Sequence, residues 1–383
     1  MRPISRLLVL GTVSTALVLS GCSIFSSKKQ ANPPAALVNL TPTLSTKVLW
    51  SVSVGQSGAY AFSPVSMDGA VYAASADGYV TRIDLATGKQ AWHSQANKSG
   101  LSAGVGAADG LVVVGSAKGE VIALDSGTGK EKWRSQAATE MLAAPAVGQG
   151  LVIVKTLDNQ LTALDADTGK KKWSYQRPAA SLTLRTAAGL SMVQNGVFTG
   201  FPGGKMVAVL LNSGTVRWES TVANPKGTTE LERVADVAGA PAIVGRDVCA
   251  ATYHGRVACF DGVNGTLNWA KDMSSQHGVA VDTRFLFVAD ERSVIYAFAR
   301  EGGASVWKNT QLLNRSLSAP LSVGRAVVIA DAQGYVHWFD RENGTYLSRM
   351  PTDGKPVLAQ PVLADKAVII QSTGGALVAF NNE

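Results

Sequence analysis

Several signatures are missing from this chain of 383 residues, and each absence narrows what it can be. Past the first twenty or so residues, apolar positions nowhere recur with the spacing of a convincing amphipathic helix. The four histidines, His93, His254, His277 and His337, are scattered and share no metal-ligand spacing. No Gly-rich phosphate loop follows a strand and opens a helix. No G-x-S-x-G nucleophile elbow occurs. Charged residues make up only 16 %, against 46 % hydrophobic, which suits a well-buried, strand-rich protein. The formal net charge is +7, without any block of like charges, so the balance itself speaks neither for nor against nucleic acid. Cysteine is scarce, with three in all. Nothing here forms a catalytic constellation, and no cofactor or metal is expected.

What the chain does contain is a repeat. The stretch from Asp77 to Trp92, DGYVTRIDLATGKQAW, returns as KGEVIALDSGTGKEKW (118–133) and DNQLTALDADTGKKKW (158–173). Weaker copies are GGKMVAVLLNSGTVRW (203–218) and HGRVACFDGVNGTLNW (254–269). Trp92, Trp133, Trp173, Trp218, Trp269 and Trp307 close successive units at spacings of 41, 40, 45, 51 and 38. A period near 40 means one supersecondary unit per repeat. A repeat array also accommodates a length that exceeds one ordinary domain, because each unit packs only on its neighbours.

Each unit reads as four short strands. In the first these are Ala61–Ser66, Ala70–Ser75, Tyr79–Leu85 and Lys89–Ser94, marked by alternation, β-branched residues and glycine turns. Turn pairs give eight units, the later ones turning at Glu291-Arg292, Gln333-Gly334 and Gly374-Gly375. The eighth ends at Phe380-Asn381 with no outer strand of its own. Thr46–Val54, TKVLWSVSV, can supply it, and its Trp50 resembles the closing tryptophans. Such a swap removes two exposed edges. The expected fold is therefore all-β: an eight-bladed β-propeller of four-stranded blades over residues 44–383, its ring closed by the N-terminal strand joining the last blade. An open solenoid is the alternative, but it would want capping repeats and no terminal swap.

The repeated residues have structural readings. The tryptophan should cover the next blade with a flat apolar group. The glycine after Thr, Ser or Asn should take positive φ in a tight turn. Asp84, Asp125, Asp165, Asp261 and Asp340 precede that turn, where a carboxylate caps nearby amides. In the seventh unit Ser348 replaces the tryptophan and Trp338 sits elsewhere, so that blade is expected to pack less well. Cys249 and Cys259 lie on two arms of one hairpin. A two-residue turn would put them on opposite faces and a three-residue turn would pair them. Buried free thiols are the expected state.

The beginning of the chain has its own pattern. Arg2 and Arg6 precede the apolar run Leu7–Leu19, followed by Leu19-Ser20-Gly21-Cys22. A basic start, a short apolar core and small residues form a secretory signal, and the run is short for a membrane span. Leu-Ser-Gly-Cys resembles a bacterial lipobox. That resemblance implies cleavage before Cys22 and lipid on Cys22, with Ser23 implying sorting to the outer membrane. Loss of residues 1–21 takes two arginines and leaves a net charge of +5. Residues 22–43 then read as the lipidated cysteine and a flexible tether, whose roughly 20 residues give a reach of roughly 25 Å.

The period stretches in two places. These are SYQRPAASLTLRT (174–186) and ESTVANPKGTTELERVADVAGA (219–240). Both leave an outer strand for the next inner strand, so both lie on one face of a propeller and flank the fourth blade. Loops on a rigid scaffold carry function. Leu182 and Leu184 alternate ahead of Arg185; they are either core between blades or an apolar pair with an Arg anchor at an interface.

At these links the chain resembles the BamB family, lipoprotein subunits of the β-barrel assembly machinery of Gram-negative outer membranes. S-L-T-L-R (181–185) is similar to that family's S-L-x-L-R segment, and G-T-T-E-L-E-R-V-A-D-V (227–237) to its G-[ST]-T-E-x-x-R-x-x-D-V segment. The resemblance implies a non-enzymatic scaffold at the periplasmic face of the outer membrane, within the BAM complex. It implies binding to the POTRA domains of BamA through Leu182, Leu184, Arg185 and Asp236. Unfolded outer-membrane proteins are a further implied partner, and nucleic acid is not. The family's second Asp, two residues on, is Ala238 here. Quinoprotein dehydrogenases use very similar repeats, with pyrroloquinoline quinone and Ca²⁺, but typically carry an adjacent Cys-Cys pair and long insertions that this chain lacks. A lipoprotein binding cell-wall glycan is the third reading.

The lipobox generates a direct test. Cys22→Ser is expected to take up no palmitate label and to leave the outer-membrane fraction on cell fractionation; a labelled, membrane-bound variant would overturn the anchor.

Overall fold

The computed structural model describes residues 32–178, 182–185 and 188–381. Cys22, with the whole signal segment, and Ser181 lie outside them. Alternating, β-branched sequence between tight turns folds into thirty-two strands, grouped in eight four-stranded antiparallel sheets. Blade 1 consists of Val65–Met67, Ala70–Ala74, Tyr79–Asp84 and Gln90–Gln95, hydrogen-bonded in that order. Blades 2 to 7 repeat this meander. Blade 8 is Val362–Ala364, Ala367–Gln371 and Ala376–Phe380, completed on its outer side by Val48–Ser53. Trp50 sits opposite Ala379 in that pairing. The eight-bladed β-propeller and its closure by the N-terminal strand are as the repeat predicts.

The core lies between blades rather than within a single sheet. Tyr72 and Val80 of blade 1, for example, share one buried cluster with Val112, Val114 and Ile122 of blade 2. The junctions follow one rule. The tryptophan of each outer strand lies against the glycine of the next blade's last turn: Trp50 on Gly88, Trp92 on Gly129, Trp133 on Gly169, Trp173 on Gly214, Trp218 on Gly265, Trp269 on Gly303 and Trp307 on Gly344. These glycines have φ between +67° and +74°. A Cβ on any of them would stand 2.4–2.8 Å from its nearest neighbour atom, which belongs to the tryptophan side chain in every case, joined at Gly265 by an equally close hydroxyl. The glycine thus serves both the left-handed turn and the close seat. Each indole Nε1–H also donates to a carbonyl of the same turn at 2.6–3.0 Å. The preceding aspartates cap as expected: Asp84, Asp125 and Asp165 each accept from the amide and hydroxyl of the threonine three residues on. Asp261 and Asp340 accept backbone amides.

Blade 7 departs from the rule for a reason the repeat alone conceals. Its partner, blade 8, takes its outer strand from the other end of the chain, so the turn that would seat an indole does not exist. Ser348 faces Trp338 across the strand pair, where the other blades face a smaller residue or arginine with tryptophan. Trp338 is fully buried and meets Phe380 edge-on at 5.5 Å. Thr43 and Leu44 stand in for the absent turn: both amides donate to Leu347 O, and Thr46 Oγ1 meets Ser348 Oγ at 2.5 Å. The expected looseness is therefore corrected. Blade 7 is closely packed, and lacks only the indole bond, Trp338 Nε1 having no partner.

The cysteine expectation is corrected as well. Cys249 and Cys259 form a disulfide. The pairing is symmetric about His254, so the connection Tyr253–Gly255 is an odd one and sets the two residues directly opposite. Both are fully buried.

Within the stretch read as a tether, residues from Ala35 onward lie on the ring. Ala35 N donates to Leu313 O, Arg315 to Ala35 O, Arg349 to Val38 O and Arg325 to Thr43 O. Arg315 is itself fixed by Asp331 at 2.6 Å, and Asp331 also receives His337 Nε2 at 2.9 Å. With that proton placed, His337 Nδ1 accepts from the Tyr346 hydroxyl. Burial holds His337 below its usual range, with Asp331 pulling the other way.

The junction rule predicts two different costs for one substitution. Gly150→Ala has positive φ but open space around the new methyl, so it should cost about 1–2 kcal/mol of backbone strain. Gly169→Ala meets the same strain and must also displace Trp133, so its loss should be clearly larger. Denaturant unfolding of the two variants checks this; equal losses would remove the indole seat as a stabilising contact.

Candidate functional site

The two long links meet beside blade 4. The first joins the outer strand of blade 3, Lys171–Gln176, to Leu190–Val193 of blade 4. The second joins the outer strand of blade 4, Val216–Thr221, to Val237–Val244 of blade 5. Asp236, at the end of the second link, ties them together. Its carboxylate accepts Leu184 N at 2.7 Å and Gly203 N at 3.2 Å. Gly189 N donates to Gly239 O alongside. The side chain is only 5 % exposed, and burial holds its carboxyl above the usual range against the pull of those amides and of Lys155.

The sequence-derived residues fall into two kinds. Leu182 is 48 % exposed and Arg185 is exposed too, its guanidinium paired with Glu140 from the link between blades 2 and 3. Glu140 holds that guanidinium above its ordinary range. Leu184 is half-buried and lines a small cleft of about 40 Å³ with Lys155, Phe201 and Asp236. Asp236 lies beneath the surface and acts on Leu184 through its amide. Leu182 is thus not core between blades, while Leu184 is partly so. Ala238 is 2 % exposed, buried in the strand that follows.

Three further residues belong here. Leu231 is 70 % exposed on the second link. It rides on a single turn closed by Thr229 and Glu232: the carboxylate accepts the amides of Thr228 and Thr229, and the Thr229 hydroxyl accepts from Glu232 N. This is a capping box, legible as T-x-x-E in the sequence. Leu157, 40 % exposed in the turn of blade 3, adds to the apolar character of this face. Lys155 lies buried at the floor of the cleft, and burial pushes its ammonium down to about 7 despite Asp236 nearby. Exposed leucines and a cation over a fixed backbone suit a protein surface.

Such a molecule is an eight-bladed β-propeller of PQQ-like repeats whose distinguishing surface is a pair of clamped links on one face. A family model described as outer membrane protein assembly factor BamB matches residues 36–101 and 76–309. The outer membrane protein assembly factor BamB of Bordetella pertussis is 42 % identical over 363 residues, covering 94 % of each chain. The crystal structure of BamB from Moraxella catarrhalis superposes with a TM-score of 0.81 at 25 % identity, over 88 % of this chain and all of that one. The chain belongs to the BamB family. Quinohemoprotein alcohol dehydrogenase from Comamonas testosteroni has a TM-score of 0.68 at 15 % identity, over 88 % of this chain and 76 % of that one, a likeness of ring architecture alone.

Asp236→Asn keeps the shape but offers one accepting oxygen where two amides now donate. It is expected to cost about 1–3 kcal/mol and to make the first link more susceptible to limited proteolysis. Unchanged stability and cleavage would show that the carboxylate does not hold the link.

Proposed function

We propose that this protein is a non-catalytic scaffold of the outer-membrane β-barrel assembly machinery, which holds the POTRA domains of BamA on its linked face. The observation that carries the reading is the pairing of an exposed Leu182 and Arg185 with a backbone clamped from below by Asp236. Membership of the BamB family supports a role in assembling outer-membrane proteins. In this reading Leu182, Leu184 and Arg185 form the contact, and Asp236 contributes by presenting Leu184. Residues 1–21 are the signal, Cys22 carries lipid, and the propeller from residue 44 hangs at the periplasmic face of the outer membrane. The scaffold biases the geometry of BamA near incoming barrel precursors.

Replacing Leu182 by Ala or Arg185 by Glu should leave the melting temperature unchanged, because both side chains stand outside the blade cores. Loss of an interface anchor costs about 2 kcal/mol or more, roughly a thirty-fold loss of BamA affinity. A normal melt with normal binding in both variants would sink the assignment.

A further inference from the structure

One place at or next to the end of each blade's second strand is repeated, defined by its pairing with the third-strand residue six positions on. Around the ring that place holds Ala74, Gly115, Lys155, Gly200, Ala251, Ala289, Ala330 and Gln371, facing Val80, Val121, Leu161, Met206, Val257, Ile295, Val336 and Leu377. Six of the eight are Ala or Gly. The two long side chains stand at the two irregular junctions: Gln371 where the ring closes, and Lys155 where the first long link enters blade 4. Each makes the same reach. Gln371 Nε2 donates to the carbonyl of Ala74, the same place in the next blade. Lys155 Nζ donates to the carbonyl of Gly200, again the same place in the next blade, and to Ala188 O at 3.4 Å.

We propose that Lys155 is a positioning residue that holds the first link from inside the ring, so that Leu182 and Arg185 stand outward. Its bond to Ala188 fixes the link's return to blade 4, as Asp236 fixes Leu184 a few residues earlier. Lys155 comes from blade 3 and Asp236 from the entry to blade 5, so the link is gripped from both sides of blade 4. The Lys155 amine also stands 4.7 Å over the Phe201 ring, and both gripping residues line the same small cleft. A buried amine is costly where alanine would serve, as it does in four other blades. The cost is consistent with a specific task for this group, and its depressed proton affinity reflects that burial.

The functional meaning of the grip rests on the partner surface proposed above, but its test does not. Lys155→Met keeps the stem and removes the donors; Lys155→Gln restores a donor of the kind Gln371 uses. Hydrogen exchange of the full chain, followed by mass spectrometry, is expected to accelerate about tenfold in the peptide spanning 182–190 for Lys155→Met, with distant blades unchanged. Lys155→Gln should return it close to the wild-type rate. Affinity for detergent-solubilised BamA should fall about tenfold in the first and recover in the second. Unchanged exchange in a folded Lys155→Met overturns the proposal, and so does acceleration that glutamine fails to reverse. Accelerated exchange with unchanged BamA affinity upholds the grip and overturns the partner surface instead. Should Lys155→Met not fold, Lys155→Ala, the residue of four other blades at this place, takes the same test.

Discussion

An indole lying flat on a glycine turn, with its N–H given to a carbonyl of that turn, joins one blade to the next seven times around this ring. The contact explains why tryptophan rather than leucine closes the repeat. A leucine could bury comparable apolar area, but it carries no donor for the carbonyl that the turn leaves facing inward. It also explains why the turn glycine is not interchangeable with asparagine, which tolerates the backbone angle but not the distance. Because the same contact sets every junction, the angle between blades is repeated, and eight of them close.

That regularity is what permits the irregular parts. The two long links add residues beyond the repeat's needs, and the ring absorbs them because blade 4 is held by Trp173 and Trp218 on its two sides. With the scaffold fixed, a buried carboxylate and a buried amine hold the first link at Leu184 and Ala188.

Much of this was legible in the chain. The 40-residue period, the closing tryptophans and the spare strand at Thr46–Val54 suffice for the ring and its closure. The two stretches of broken period mark the linked face but leave open whether Leu182 is core or surface, which its exposure decides. The rest depends on geometry that a repeat count does not carry. Asp236 is singled out only by the family resemblance, as a contact residue; its burial follows from blade 5 passing close to Gly203 of blade 4. Lys155 looks like ordinary strand-end charge until it is aligned with Ala74, Ala251 and Ala330. The state of Cys249 and Cys259 turned on one residue of hairpin length. The hold of blade 7 on residues 35–44 depends on arginines at 315, 325 and 349 that no periodicity singles out.

The closing strand also sets a schedule for the chain. Val48 and its partner Phe380 lie 332 residues apart. A chain is made from its N-terminus, so the strand that completes the ring is among the first parts delivered and its partner the last. Until then Val48–Ser53 has no sheet to join, and its apolar Val48, Leu49 and Trp50 stay exposed to other unfinished chains. Pairings this distant in sequence form slowly, and unpaired strands of this kind aggregate readily. Keeping new chains apart until the last blade is made is therefore as much a requirement of this fold as any contact within it.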